Sequence, residues 1–308
     1  MSEEKPEDPP AAAAQEATED KEDEDSSPPA IDLTHHEIKP DMFEGIHVLD
    51  EKFEKIEGAP NFRQLKGFPV FGTGQPTEAA MVEIINKAKE GVGKDNAKVY
   101  WFTMRQEPIV YVNGFPYAPR DPENRYEVKC FKNQILFEDY FYDRHVNLDI
   151  KMNSEEIRRT ERHLAKVLKA RQVASGDDTL KIRKDEAFVE NPMERKDYED
   201  TIKAESIKDH DAVYSFCQSK CEVDLQVIRI PLQEDQMPTE YIDTIVDALK
   251  NEPASTPCIF SCQMGKGRTT LGMAAACLVK EITLTAELRS VQKYDYIQIK
   301  DYYLYIGR

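Results

Sequence analysis

The sequence predicts an α/β fold, a mostly parallel central sheet flanked by helices. Three observations point to it. Short apolar runs of strand length stand at residues 69–71, 98–104, 225–230 and 258–260. Helical periodicity follows three of them, at 77–89, 238–249 and 269–279, and strands alternating with helices build a parallel sheet covered on both faces. The last strand and helix are joined by a tight seven-residue turn, Cys262 to Arg268, that holds two glycines.

Residues 1–30 carry eleven Asp or Glu against Lys5 and Lys21, over half of the net charge of −17, and almost no large apolar side chain. Such a segment cannot bury enough surface to fold, so a disordered acidic tail is expected there, either a solvated spacer or an interaction tail. The folded domain is expected over 31–290. A Tyr-rich segment follows at 291–308 and stops abruptly, as a truncated product would. Ile31, Leu33, Ile38, Met42, Phe43, Ile46, Val48 and Leu49 read as packing along the domain edge, with His35 and His36 in a solvent-exposed loop.

Asn61-Phe62-Arg63-Gln64 opens the folded unit. After the strand at 69–71 and a turn at 72–76, Thr77 caps a helix with Glu78 in its first turn and Ala80, Ile84, Ile85 and Ala88 inward. The strand at 98–104 is central and ends at Arg105-Gln106-Glu107-Pro108, on the carboxyl edge where α/β sheets bind ligands. There Arg105 either meets an anion or pairs with Glu107 or another carboxylate. Residues 109–112 and 115–117 around Asn113-Gly114 form a hairpin. Asn153 and Glu156 cap a long helix to about residue 173, with Ile157, Leu164, Val167 and Leu168 on one face. Its Arg158, Arg159, Arg162 and Lys166 make a solvated face or a contact for a phosphorylated partner. A strand at 201–207, a helix at 209–220, the strand at 225–230 and a helix opened by Pro238 complete the order.

A sequence pI of 4.9 without a clustered basic and aromatic surface argues against a nucleic-acid binder. No apolar run is long enough to span a bilayer, and Ser2 rather than Gly follows Met1, so a cytoplasmic protein with reduced thiols is expected. The N-terminus shows no apolar signal-peptide core. The cysteines at 217 and 221, and at 258 and 262, lack Cys-x2-Cys spacing and a convergent histidine, so no metal is expected.

The turn at 262–268 is an anion cradle. Loop N–H groups converge, the first turn of the following helix adds unsatisfied N–H groups, and the helix dipole favours negative charge. Gly265 and Gly267 permit the backbone angles such a loop needs. Cys262 at the strand end is placed as a thiolate nucleophile, and Arg268 offers a planar fork for two phosphoryl oxygens. Thr269 can hydrogen-bond the sulfur. Gln263, Met264, Gly265, Lys266 and Gly267 supply the N–H donors, with a flexible Met264 at the rim. Lys266 either adds charge for a second phosphate or is an ordinary exposed lysine. The chemistry is attack of Cys262 on a phosphate monoester through a phosphocysteine intermediate.

C-x-x-G-x-G-R-T between a strand and a helix resembles the signature of the cysteine-dependent phosphatases of the protein-tyrosine-phosphatase superfamily. The wider window FSCQMGKGRTTLGM is similar to the phosphatase-like repeats of the paladin family and its cysteine-phytase-type relatives. So, in the same order, are GAPNFRQLKGFPVFGTGQPT (58–77), RQEPIVYVNGFPYAPR (105–120) and RIPLQEDQMP (229–238). The resemblance implies a cofactor-free phosphatase acting on phosphoinositides or inositol phosphates, with phosphotyrosine a further substrate. Its partners would be phosphorylated small molecules, lipid headgroups reached by peripheral membrane contact, or phosphoproteins. Relatives place an acid five residues after the arginine of the RIP strand. Glu234 holds that offset and Asp235 is one further, so either is expected as general acid and base. Ser261 stands where many members have histidine, which weakens the polar support of the loop. Lipid phosphatases of the phosphatase-and-tensin type have a lysine at the position of Lys266. Paladins typically hold two such units and are often described as having little phosphatase activity. The alternative implied is therefore a weak or inactive domain that binds phosphorylated partners as a signalling regulator.

Overall fold

The computed structural model describes residues 35–41, 54–92, 97–120, 152–185, 197–232 and 239–291. In chain order the elements are β1 (Glu37–Pro40), β2 (Arg63–Gln64), β3 (Val70–Thr73), α1 (Glu78–Glu90), β4 (Lys98–Thr103), β5 (Val110–Val112), β6 (Phe115–Arg120), α2 (Ser154–Ser175), β7 (Thr179–Asp185), β8 (Asp197–Lys203), β9 (Ile207–Asp209), α3 (His210–Cys221), β10 (Asp224–Arg229), α4 (Thr239–Leu249), β11 (Cys258–Ser261) and α5 (Gly267–Val291).

The central sheet has the order β10-β4-β11-β3-β2. Its first four strands are parallel and the two-residue β2 is antiparallel at one edge. Side chains alternate across it as the strand period of two requires. Phe71, Val99, Trp101, Leu225 and Ile259 pack with α1 and α3 on one face. Val70, Tyr100, Phe102, Cys258 and Phe260 pack with α4 and α5 on the other. The expected mostly parallel sheet with helices on both faces is what the chain builds. β11 is its middle strand, hydrogen-bonded to β4 and β3.

Local signals set the helix ends. Thr77 Oγ1 accepts from the Ala80 N–H at the start of α1. Asn153 and Glu156 form the reciprocal capping box that opens α2, and Gly176 ends it at φ 76°. Asp209 caps α3 through the Ala212 N–H. The predicted hairpin is β5–β6, turning through Asn113 (φ 52°) and Gly114 (φ 79°).

Three features depart from expectation. β5 and β6 belong to a separate antiparallel sheet, β1-β6-β5-β9. β1 lies within the stretch expected to pack along the domain edge, and its Ile38 is fully buried. His35 is exposed and His36 half-buried; the other apolar positions expected there lie outside the described residues. The strand expected at 201–207 is two strands, β8 and β9. β8 pairs with β7, which the charged run Lys181, Arg183, Lys184 conceals. Leu180 and Ile182 alternate with these charges and pack on Leu164 and Leu168 of α2, while Lys181–Glu199 (3.1 Å) and Lys184–Asp200 (2.6 Å) cross the outer face. α5 runs twelve residues past the apolar stretch that predicted it. Lys280, just past that stretch, is buried with its Nζ on the Ala254 and Thr256 carbonyls (3.2 and 2.5 Å).

α5 lies hard against β11. A Cβ on Gly272 would meet Met104 Sδ at 2.3 Å and the Phe260 ring at 2.5 Å. Gly272→Ala is expected to destabilise the fold by about 1–3 kcal/mol, although alanine is the better helix former. Urea unfolding of the variant beside the wild type measures it; equal midpoints would mean the helix can move away at no cost.

Candidate active site

The phosphate-loop candidate follows directly from β11. The Ser261 carbonyl accepts from the Met104 N–H (2.6 Å), and its hydroxyl accepts from Trp101 Nε1 (2.9 Å). The position lacking histidine thus satisfies a buried indole. Beyond Cys262, three successive carbonyls are tied to upstream residues. Gln263 O accepts from the Gln75 N–H at 2.8 Å, Met264 O from Asn61 Nδ2 at 2.8 Å, and Gly265 O from Arg63 Nη1 at 2.6 Å. In a trans peptide the N–H points opposite to the C=O. The N–H groups of Met264, Gly265 and Lys266 therefore face the other way. The Gly265 N–H lies 3.2 Å from Cys262 Sγ and donates to it.

Gly265 has φ 77°, and a Cβ there would fall 2.3 Å from the Gly74 nitrogen and 2.5 Å from the Thr73 carbonyl carbon. Only glycine fits. From α5, the Thr269 hydroxyl stands 3.0 Å from Cys262 Sγ and 3.3 Å from the Thr73 carbonyl. Its single proton can be given to either acceptor. Cys262 thus sits buried at the focus of an N–H and a hydroxyl, beneath the first turn of a 25-residue helix.

Arg268, the second residue of α5, is buried. Its Nη1 donates to both oxygens of Glu107 (3.0 and 3.2 Å) and to the Leu232 carbonyl (3.1 Å). Arg105 makes the ion pairs that were one of its two expected roles. It is fully buried, with Nη1 2.6 Å from Asp41 Oδ2 and 3.1 Å from Gln75 Oε1, and Nε 3.4 Å from Glu107 Oε2. These contacts hold its guanidinium inside the protein. Asp41 also accepts from Gln263 Nε2 (3.2 Å). Burial lowers the pKa of Arg63, and the neighbouring Cys262 sulfur opposes that shift.

Gln263, Met264 and Gly265 are buried, Lys266 is half-buried and Gly267 is exposed as the first residue of α5. Glu234 and Asp235 lie outside the described residues. The sequence alone did not reveal that Glu107 grips Arg268, nor that Asn61, Arg63, Gln75 and Asp41 brace the loop. Asn61, Arg63 and Gln75 fall within the block 58–77 that carries the family likeness, a signal that could have marked them. Burial pushes Cys217 up to about 12, Cys258 and Cys277 to about 11, and raises Cys221, so these thiols stay protonated.

The family of PTP-like phytases, described as inositol hexakisphosphate, matches residues 140–280. Paladin of Gallus gallus is 26% identical over 241 residues, covering 72% of this chain and 24% of that protein. Paladin of Mus musculus is 26% identical over 250 residues (72% and 25%), and that of Danio rerio 25% identical over 273 (80% and 28%). The matches support a paladin/PTP-like phytase assignment. The chain spans about a quarter of the length of the curated relatives it matches. Over these stretches the chain is similar to PTP-like phytases and to paladins. Among solved structures, a PTP-like phytase from Bdellovibrio bacteriovorus covers 80% of this chain and 68% of its own, with TM-score 0.44 and 18% identity. A PTP-like myo-inositol phosphatase from Mitsuokella multacida, in complex with myo-inositol-(1,3,4,5)-tetrakisphosphate, covers 77% and 35%, with TM-score 0.44 and 16% identity. Among the described residues no helix is long and apolar enough to cross a membrane.

Behind the Cys262 loop lies a second buried polar cluster. Arg229 holds Glu161 through both nitrogens (3.1 and 2.7 Å), and its Nη2 is 3.2 Å from His210 Nδ1. His210 stacks on Tyr214, whose hydroxyl is hydrogen-bonded to Thr103. Arginine only donates, so His210 Nδ1 is an acceptor and the ring is neutral. Burial, reinforced by Arg229, Arg105 and Arg158, pushes the His210 pKa well below its usual value. Below pH ~6.5 the unfolded chain therefore binds a proton that the folded chain refuses. Stability present above that pH is lost as the pH falls, at up to about 1.4 kcal/mol per pH unit. Urea unfolding between pH 7 and 5 is expected to show this slope in the wild type and a shallower one in His210→Phe. Equal slopes would mean that His210 takes up a proton in the fold.

Proposed function

We propose that this domain is a cysteine-dependent phosphatase that hydrolyses phosphomonoesters, with inositol phosphates or phosphoinositide headgroups as its substrate class and phosphotyrosine a further one. One observation carries the reading: the Cys262 sulfur receives the Gly265 N–H and faces the Thr269 hydroxyl, in a loop whose carbonyls are drawn to its outer side. The cradle is thus donor-lined, as an anion requires.

In this reading Cys262 attacks phosphorus as the thiolate, and the bond to the ester oxygen breaks. Glu234 or Asp235 gives that oxygen its proton. Water, deprotonated by the same carboxylate, then displaces sulfur and releases inorganic phosphate. Arg268 and the N–H groups of the loop from Gln263 to Gly267 stabilise the equatorial oxygens as charge develops on them. Thr269 stabilises the departing thiolate in the second step. Half-buried Lys266 beside the cradle favours a substrate with a second phosphate, which supports an inositol ring over a lone phosphotyrosine. The family description, inositol hexakisphosphate, points to the same class. Action in the cytoplasm, with peripheral membrane contact where the substrate is a lipid headgroup, belongs to the same proposal.

Phosphate release across inositol phosphates, soluble phosphoinositides and phosphotyrosyl peptides tests it. Cys262→Ser is expected to abolish turnover, and Arg268→Ala to lower kcat/KM by at least about 10³-fold through loss of a preorganised charge clamp. Thr269→Ala is expected to slow hydrolysis of the intermediate more than its formation, so a burst of product would precede slow turnover. Wild type and Cys262→Ser releasing equal phosphate would overturn the enzyme reading. Binding of phosphorylated ligands without release would leave a phosphate-recognising regulator.

A further inference from the structure

We propose that Glu161, on α2 and in contact with neither Cys262 nor Arg268, is the positioning residue for the Arg268 guanidinium. The proposal rests on the phosphatase reading above and names the group that aims its anion clamp.

Arg268 Nη1 is oriented by two acceptors from different parts of the chain, the Glu107 carboxylate and the Leu232 carbonyl. Both are tied, a few residues away, to the same carboxylate. Glu161 Oε1 accepts from the Ile109 N–H at 3.0 Å, two residues beyond Glu107. Glu161 also holds the Arg229 fork at 3.1 and 2.7 Å, three residues before Leu232. Each link passes through a proline: Glu107-Pro108-Ile109 on one side and Arg229-Ile230-Pro231-Leu232 on the other. Proline fixes φ, so a shift at Ile109 or Arg229 is carried along the chain with little slack. The Arg229 end is pinned again by Ser154 Oγ on its carbonyl (3.0 Å), from the first turn of the helix that bears Glu161.

Glu161 and Arg229 are both buried, so the carboxylate exchanges none of these partners for water. The groups facing it are Arg229 of β10, the Ile109 N–H beside β5, and His210 of α3, whose Nδ1 is 4.0 Å away. If Glu161 becomes glutamine, its one oxygen can keep the Ile109 N–H and Arg229 Nη1, which share Oε1. Arg229 Nη2 loses its acceptor, because the new amide turns N–H donors toward it in place of Oε2. The expected result is a β10 end, and with it Leu232, released from register while the Cys262 loop, braced by Asn61, Arg63 and Gln75, stays as it is.

The test is a double-mutant cycle read by tungstate affinity, a tetrahedral oxyanion probe that needs no turnover, on the full chain. Glu161→Gln is expected to weaken tungstate about tenfold in the wild-type background and to add almost nothing in Arg268→Ala. Alkylation of Cys262 by iodoacetamide in the absence of tungstate is expected to proceed at the wild-type rate in Glu161→Gln, since its sulfur contacts are untouched. Glu161→Asp, a shorter carboxylate unable to hold both segments, is expected not to rescue affinity. Equal weakening in both backgrounds, or an altered alkylation rate, would make Glu161 a general scaffold residue and overturn the proposal. A wild type that binds tungstate with an affinity Glu161→Gln leaves unchanged would overturn this role alone. A wild type that binds no tungstate would overturn the phosphatase reading with it.

Discussion

Three hydrogen bonds, from the Gln75 N–H, Asn61 Nδ2 and Arg63 Nη1 to the carbonyls of Gln263, Met264 and Gly265, decide which way the peptide planes of the Cys262 loop face. Without them the loop could turn carbonyl oxygens to its inner side and repel any anion. Each neutral bond contributes only about 1 kcal/mol net, and one from a charged guanidinium somewhat more. Their effect on binding exceeds that, because they replace acceptors by donors around one sulfur. Gly265 adds a steric constraint of the same sense, since its φ of 77° and its contact with Gly74 and Thr73 admit no side chain.

The charged groups around Arg268 follow another logic. Arg105, Asp41, Glu107 and Arg268 are all buried, and buried ion pairs are weak sources of stability because desolvation offsets attraction. What they supply is direction. Glu107 engages Arg268 by both oxygens and Arg105 through side chain and backbone, so the two guanidinium groups are aimed by one acid. A guanidinium aimed in advance needs little reorganisation to meet an anion.

The central sheet was legible because its signals are local. The apolar runs of β4, β10 and β11, the capping residues Thr77, Asn153 and Asp209, and the Asn113-Gly114 turn each act within a few residues. The Cys262 loop was legible for the same reason: its glycines, cysteine, arginine and threonine lie within eight positions. What was hidden depends on distance along the chain. Asn61 and Arg63 reach residues more than 200 positions away, and Glu161 reaches 52 positions to Ile109 and 68 to Arg229. No spacing rule covers such pairs. β7 was hidden by composition, since a two-stranded ribbon against α2 needs only Leu180 and Ile182 inward and leaves its charges free to pair across the outer face. Arg105 shows the converse limit: its place at the carboxyl edge of β4 was readable, whereas the carboxylate of Asp41 that turns it inward was not.

The place of β11 in the sheet has a consequence for how such a site can fail. Its backbone is paired on both sides, with β3 and β4, and its side chains are covered above and below by helices. Amide protons in a strand so enclosed trade with solvent only when the whole domain opens. Cys262 hangs from that strand, so partial melting at the rim leaves the loop assembled and its loss coincides with global collapse.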